Sequence, residues 1–327
     1  MPMSCQLFCS RTGLLGVLLY FALALPTHAN TVYTLPPPGL NVIGHIQVVH
    51  ARYEDTLIDI AREHGLGMDE IIAANPGVDL WLPGAGTPII LPTRHILPDA
   101  PRRGVVLNLA EKRLYYYPDP QPGAPPVVFT YPAGIGRMNW ETPLGQTRIT
   151  AKAEQPSWYP PESIRRDRLQ TTGEVLPNVV PPGPDNPLGP YALRLGMPGY
   201  LIHGTNKQYG IGSRVSAGCV RLYNHHVEEL FDRVPVGTPV TIINQPVKVG
   251  IGAGGVFMQV FAPFDLLGES DQDGGEAPTL ADAEALLQET VSPALLERIN
   301  PLAVQLIVEQ ASGLVVPIST SNAETSG

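Results

Sequence analysis

The chain is short of charge, of basic clusters and of cysteine. Only 16 % of its 327 residues are Asp, Glu, Lys or Arg, against a hydrophobic share of 43 %. That balance excludes a disordered, self-solvating chain and leaves enough apolar side chains for a sizeable core. The net charge is −9 and no run of lysine or arginine interrupts it. Such a chain is poorly suited to bind nucleic acid or an anionic lipid surface. Neither His-x-His, His-Glu-x-x-His nor a phosphate-binding Gly-x-x-x-x-Gly-Lys-Ser/Thr occurs, so the sequence implies no metal and no nucleotide cofactor. His225-His226 read as the surface of a helix start.

The one long apolar run, 14–25, is too short to span a bilayer comfortably. It follows Arg11 and precedes Pro26-Thr27-His28-Ala29, whose small residues suit a signal peptidase. Residues 1–29 are therefore expected to be a secretory signal, cut after Ala29. Of the three cysteines, Cys5 and Cys9 would leave with it, and Cys219 would remain as a lone thiol in an oxidising compartment.

Proline (36) and glycine (33) are abundant, which disfavours a helical bundle and favours short strands joined by turns. Residues 30–43 are proline-rich and read as a linker. Between 44 and 93 the pattern predicts strand, helix, helix, strand. Asp55 or Thr56 would cap the first helix, and Asn75-Pro76-Gly77 would stop the second. From 102 to 245 β-branched residues at period two predict strands, with a hairpin around Ala110-Glu111-Lys112 and a helix over 224–233 capped by Asn224. The expected fold is mainly β, a sandwich-like or barrel-like sheet with one or two helices. Residues 156–190 hold nine prolines and read as a long lid-like loop without regular structure. Residues 246–327 read as a partly helical extension, broken at Pro301, without a chemical motif.

The chemistry concentrates in His203-Gly204-Thr205-Asn206 and Ser216-Ala217-Gly218-Cys219-Val220-Arg221. A thiol attacks a carbonyl as thiolate and needs a base or a cation beside it. His203 ends a strand-like run, and a glycine-rich turn could bring Cys219 back to it. Gly218 lets backbone N–H groups approach a developing oxyanion. Arg221 could lower the thiol pKa or hold a substrate carboxylate.

The whole string resembles the signature of YkuD-type L,D-transpeptidases, supported by Gly134-Ile135-Gly136, Thr142-Pro143-Leu144-Gly145 and Gly189-Pro190-Tyr191. The resemblance covers about 103–245 and extends to the periplasmic ErfK/YbiS/YcfS/YnhG-like members. It implies Cys219 as nucleophile and His203 as general base, oriented by the Gly204 carbonyl. It also implies an oxyanion hole near Ala217 and Gly218, and substrate contacts from Ser216, Arg221, Asn206 and Tyr191. Ala217 departs from the histidine or polar residue common there. Segment 44–93 resembles a LysM module, with Glu54 where that family usually has glycine. That resemblance implies Asp55, Thr56, Asn75 and Pro76 beside a glycan groove.

Together the resemblances imply a periplasmic enzyme that acts on peptidoglycan tetrapeptides through a cysteine thioester. It would release D-alanine and be open to inhibition by carbapenem β-lactams. The acceptor would be a lysine of an outer-membrane lipoprotein, a second diaminopimelate, or water. The rival readings are a non-catalytic peptidoglycan-binding protein and a wall-hydrolysing cysteine peptidase.

Overall fold

The computed structural model describes residues 31–137, 140–263 and 277–320. The apolar run, Cys5, Cys9, the turn-rich stretch 271–275 and the end of the polar tail lie outside them. In chain order the elements begin with β1 (Val32–Thr34), β2 (Val42–Gly44), β3 (Gln47–His50), α1 (Leu57–Glu63), α2 (Met68–Ala74), β4 (Pro88–Leu91) and β5 (Arg94–Ile96). The central part contains β6 (Gly104–Asn108), β7 (Arg113–Tyr117), β8 (Val127–Pro132), β9 (Ile135–Gly136), β10 (Gly145–Glu154), α3 (Glu162–Thr172), β11 (Tyr191–Leu195), β12 (Leu201–His203), β13 (Arg214–Ser216), β14 (Val220–Arg221), α4 (Asn224–Arg233) and β15 (Pro239–Ile243). The chain closes with β16 (Val247–Gly252), β17 (Gly255–Val260), α5 (Leu280–Thr290), α6 (Pro293–Leu296), α7 (Pro301–Gln310) and β18 (Val316–Pro317).

The fold is β-rich, as expected. One nine-stranded mixed sheet runs β1-β8-β7-β6-β15-β10-β11-β12-β14. β10 pairs with β15 through its first half and with β11 through its second, with a register shift between Ile149 and Ala151. A bulge of this kind bends a strand and lets the sheet curl. Near the two ends of the curl a bridge joins Gly134 to Arg221. Alternation along the strands fills both faces of the central hairpin. Val105, Leu107, Leu114 and Phe129 enter the core shared with α4, while Val106, Tyr115, Tyr117 and Val128 pack against Ile43 and Leu97. Full burial of each such side chain stabilises by about 1.5–3 kcal/mol.

Three expectations are corrected. The segment 30–43 is no free linker. Val32–Thr34 pairs with β8 and Val42–Gly44 with β5, because the β-branched residues lie at either end of the prolines. The stretch 156–190 does contain a helix, α3, which occupies the proline-free interval between Pro161 at its N-cap and Gly173 in left-handed conformation at its C-cap. Asn224 does not cap α4, whose N-cap is Tyr223. The Asn224 Oδ1 instead accepts the Thr205 N–H at 2.8 Å.

The βααβ unit, β3-α1-α2-β4, has its own small core of Leu57, Ile60, Leu66, Ile71, Ile89 and Leu91. Thr56 caps α1 by accepting the Asp59 N–H at 3.0 Å. Among the described residues the non-glycine positions with left-handed φ are Lys112, Gln155 and Ala311, so Glu54 sits in its turn without that strain. The C-terminal unit stacks α5 and α7 on β16-β17-β18 around Val256, Met258, Leu287 and Val304. The chain breaks ahead of Pro301, with Asn300 as the cap of α7.

Candidate active site

β12 and β14 are parallel neighbours, with His203 in register with Arg221. Cys219 stands two residues before Arg221, hence on the same face of the chain. His203, Cys219 and Arg221 line one cleft of about 980 Å³. Its charged side chains are Arg194 and Arg221, both cationic; the Lys152 ammonium turns away to the Phe231 carbonyl. The far wall comes from the proline-rich segment, including Trp158, Tyr159 and Ile164. That segment is tied down by Asn186, whose Nδ2 donates to the Pro156, Val180 and Pro181 carbonyls. Arg137 adds an ion pair to Asp167 of α3 at 2.8 Å.

The turn that presents Cys219 is held from inside. Ser216 Oγ, itself buried, accepts the Gly218 N–H at 3.1 Å and donates to the Cys219 carbonyl. Thr142 Oγ1 donates to the Gly218 carbonyl at 2.8 Å and accepts the Gly136 N–H at 3.1 Å. Gly218 has φ +96°, and a Cβ there would stand 2.9 Å from the Tyr200 ring. Glycine is required by both conformation and space.

His203 is buried, and its Nδ1–H donates to the Gly204 carbonyl at 2.6 Å. That bond fixes the tautomer and leaves Nε2 as the acceptor. Burial, followed by repulsion from Arg221, pushes the imidazole pKa down to about 3. The Cys219 Sγ lies 3.5 Å from the Gly199 carbonyl, and the Leu201 N–H also faces it. Burial pushes its pKa up, with the Leu201 amide and Arg221 partly opposing. Both shifts favour the uncharged forms, a neutral imidazole and a thiol. The Arg221 Nε is buried without a hydrogen-bond partner among the described residues. An unpartnered guanidinium edge in a cationic cleft suits a carboxylate.

Residues 102–242 match the L,D-transpeptidase catalytic domain (YkuD). The chain is 44 % identical over 238 residues to the probable L,D-transpeptidase ErfK/SrfK of Escherichia coli strain K12, covering 71 % of this chain and 75 % of that one. To the probable L,D-transpeptidase YcfS of the same strain it is 45 % identical over 240 residues, covering 72 % and 73 %. This chain belongs to the L,D-transpeptidase family. The solved L,D-transpeptidase from Mycobacterium smegmatis overlaps 43 % of this chain and 58 % of that one, with 20 % identity and a TM-score of 0.33.

Not every residue singled out from the sequence of this L,D-transpeptidase faces its cleft. Ser216, Ala217, Cys219, His203 and Arg221 line it. Gly204 supplies the carbonyl that orients His203, and Gly218 gives its N–H to Ser216. Tyr191 points the other way. Its ring packs on Phe231 at 4.8 Å and its hydroxyl reaches Glu228, because its neighbour Ala192 takes the cleft side of β11. Asn206 is exposed and bonds the Asp185 carbonyl at 3.0 Å, anchoring the proline-rich segment. In the βααβ unit, Asp55 binds Arg52 and Thr56 caps α1. Asn75 pins β4 through both polar atoms, and Pro76 is exposed. The exposed aromatics of that unit are Tyr53 and Trp81.

Thr142 is a supporting residue that the sequence does not mark as one. Its Thr-Pro-Leu-Gly string is legible, but only the fold brings it under Gly218. His226 is buried, not on the surface. It lies between the Tyr131 and Tyr223 rings with both ring nitrogens unpartnered among the described residues.

Proposed function

We propose that this chain is a periplasmic L,D-transpeptidase that acts on peptidoglycan tetrapeptide stems through Cys219. The observation that carries the proposal is the shared wall of the cleft, where a half-buried thiol, an imidazole with Nε2 unprotonated and an unpartnered guanidinium edge come together. Cys219 Sγ attacks the carbonyl joining the L-centre of diaminopimelate to the terminal D-alanine. His203 Nε2 takes the thiol proton as the C–S bond forms, then gives it to the departing amine as the C–N bond breaks. D-Alanine leaves and a thioester remains. An acceptor amine then attacks this carbonyl, His203 removes its proton, and the thiol is regenerated. Two easier steps replace one, and the acyl bond is conserved without ATP. With the Gly218 N–H given to Ser216, the oxyanion donors are the amides of Ala217 and Cys219. Arg221 holds a substrate carboxylate, in keeping with the absence of acidic side chains from the cleft lining among the described residues.

The same reading takes residues 1–29 as the export signal, the βααβ unit as a LysM-type glycan-binding module and 102–245 as the catalytic domain. Glycan held by the module would raise the local concentration of stem peptides at the cleft. The acceptor we favour is a lipoprotein lysine, and carbapenems should acylate Cys219.

Product analysis by mass spectrometry tests this. The mature protein and Cys219→Ala are each given disaccharide-tetrapeptides and a peptide ending in lysine. The expected product is the tripeptide stem joined to that lysine, formed only with Cys219. Joining of tetrapeptides to each other would make the enzyme a cross-linker. Tripeptide alone would make it a hydrolase. No Cys219-dependent product would return the chain to a binding role.

A further inference from the structure

The βααβ unit touches the chemistry from behind. The loop Gly210-Ile211-Gly212-Ser213 leads directly into β13 and the Cys219 turn, and α2 lies against it. The Met68 N–H donates to the Ile211 carbonyl at 2.8 Å. Ser213 Oγ donates to Asp69 Oδ1 at 2.7 Å, both residues being buried. Asp69 is held in turn by Lys112 at 2.6 Å. Gly67 meets Gly212 backbone to backbone, and a Cβ on Gly67 would stand 2.8 Å from the Gly212 Cα.

The contact chain continues to the thiol. Ser213 precedes β13 and Ser216 ends it. The Ser213 carbonyl accepts the Ile135 N–H at 3.0 Å, and the Ser216 carbonyl accepts the Arg137 N–H at 2.9 Å. Ser216 then holds both Gly218 and Cys219. β13 is three residues long and pairs only with the two-residue β9 in its sheet. So short a ladder fixes little by itself.

We infer that the βααβ unit positions the reacting thiol, with Asp69, acting through Ser213, as a positioning residue for Cys219. The unit is then a buttress of the active-site loop as well as a candidate glycan holder. The inference rests on the reading of Cys219 as the acylated thiol.

Two substitutions break the contact in different ways. Ser213→Ala removes only the hydroxyl bond to Asp69. Gly67→Ala wedges the seam without straining its own backbone, since Gly67 has φ −86°. Glu63→Ala, on the exposed side of α1, serves as the control. The full mature chain is assayed for D-alanine release from disaccharide-tetrapeptide, and for alkylation of Cys219 by iodoacetamide.

Ser213→Ala and Gly67→Ala should each lower kcat by about tenfold, with KM within about twofold, since small misplacements of reacting atoms act on the chemical step. Alkylation should stay within about twofold of wild type, because a small probe does not need the aligned geometry. Glu63→Ala should change nothing. If both variants keep wild-type kcat, the inference is wrong. It is equally overturned if their losses go with faster alkylation, which would report a loosened fold. Should Cys219→Ala release D-alanine as fast as wild type, the reading of the thiol itself fails and the inference with it.

Discussion

Two appended units grip the same turn of the catalytic sheet with ion pairs of opposite sense. The turn joins β6 to β7. On one side its Glu111 meets Lys248 of the C-terminal unit at 2.7 Å, both side chains fully buried, with the Tyr115 hydroxyl also donating to Glu111. On the other, Lys112 and Arg113 meet Asp69 and Glu70 of the βααβ unit, each at 2.6 Å. The chemistry of attachment is nearly the same. The reach is not. The Lys248 ammonium goes no further than the Ile96 carbonyl, at 2.7 Å. The contacts of α2 run on to Ile211 and Ser213, and the Tyr223 hydroxyl donates to the Leu66 carbonyl at 3.2 Å. A buried ion pair shows that a unit is docked. Whether that unit can influence catalysis depends on what else its surface meets.

The sharpest test of this contrast is Glu111→Gln. It strands the Lys248 ammonium in a dry site, and removing one partner of a buried pair costs about 3–5 kcal/mol. The urea midpoint should fall accordingly, while kcat per folded molecule stays at the wild-type value. Adding Lys248→Met should recover most of the loss, since a buried pair replaced by apolar side chains is often neutral. A fall in kcat with Glu111→Gln would erase the distinction between the two grips.

Glu70→Gln is the counterpart on the other side. Arg113 is fully buried, and it keeps bonds to Thr130 and the Gly65 carbonyl after its carboxylate partner is gone. The stability loss should be about 3 kcal/mol, at the low end for a broken buried pair. Unlike Glu111→Gln, it should also lower kcat, because it loosens α2 against the loop ahead of Cys219. Equal kcat in the two variants would show that the βααβ unit is as remote from the chemistry as the C-terminal one.

A pH titration probes the ground between the grips. His95 is buried there, and burial, then Arg113 and Lys248, push its pKa well below 6.5. His226 shifts the same way, and His203 falls to about 3. Below pH 6.5 the unfolded chain takes up protons that the folded chain refuses. Stability contributed by these groups is thus complete above pH 6.5 and falls as the pH drops. Each removes up to about 1.4 kcal/mol per pH unit within its window. Urea midpoints measured from pH 7.5 down to 4.5 should show this slope, and His95→Gln should make it shallower. A slope unchanged in that variant would mean that His95 is protonated in the folded protein.

The catalytic sheet and its candidate site were largely legible in the sequence because their signals are local. β11 and β15 follow from β-branched alternation, and Cys219 with its glycine and arginine forms one contiguous string. The grips left no such trace. Glu111 and Lys112 read as an ordinary charged turn and Arg113 as the start of a strand, and nothing near them in sequence announces Lys248 or Glu70. Tyr191 shows the same limit on a smaller scale, since pattern places it on β11 but only the partner strand and α4 decide which face it takes. α3 is hidden for another reason. The nine prolines over 156–190 suggest a loop by their density, whereas helix formation depends on the uninterrupted interval between them.

The smallest effects ask whether the two units unfold with the sheet or apart from it. Thr56 caps α1 in the βααβ unit, and Asn300 caps α7 in the C-terminal unit by accepting the Leu302 N–H at 3.0 Å. Replacing either with alanine should cost about 1 kcal/mol. If each grip makes its unit part of one cooperative structure, both variants lower the same urea transition by similar amounts, with far-UV circular dichroism and tyrosine fluorescence coincident. A separate early transition in Asn300→Ala alone would mean that the Lys248–Glu111 pair holds the C-terminal unit in place without coupling its folding to the sheet. The βααβ unit, with its longer line of contacts, would remain the one that folds with the site.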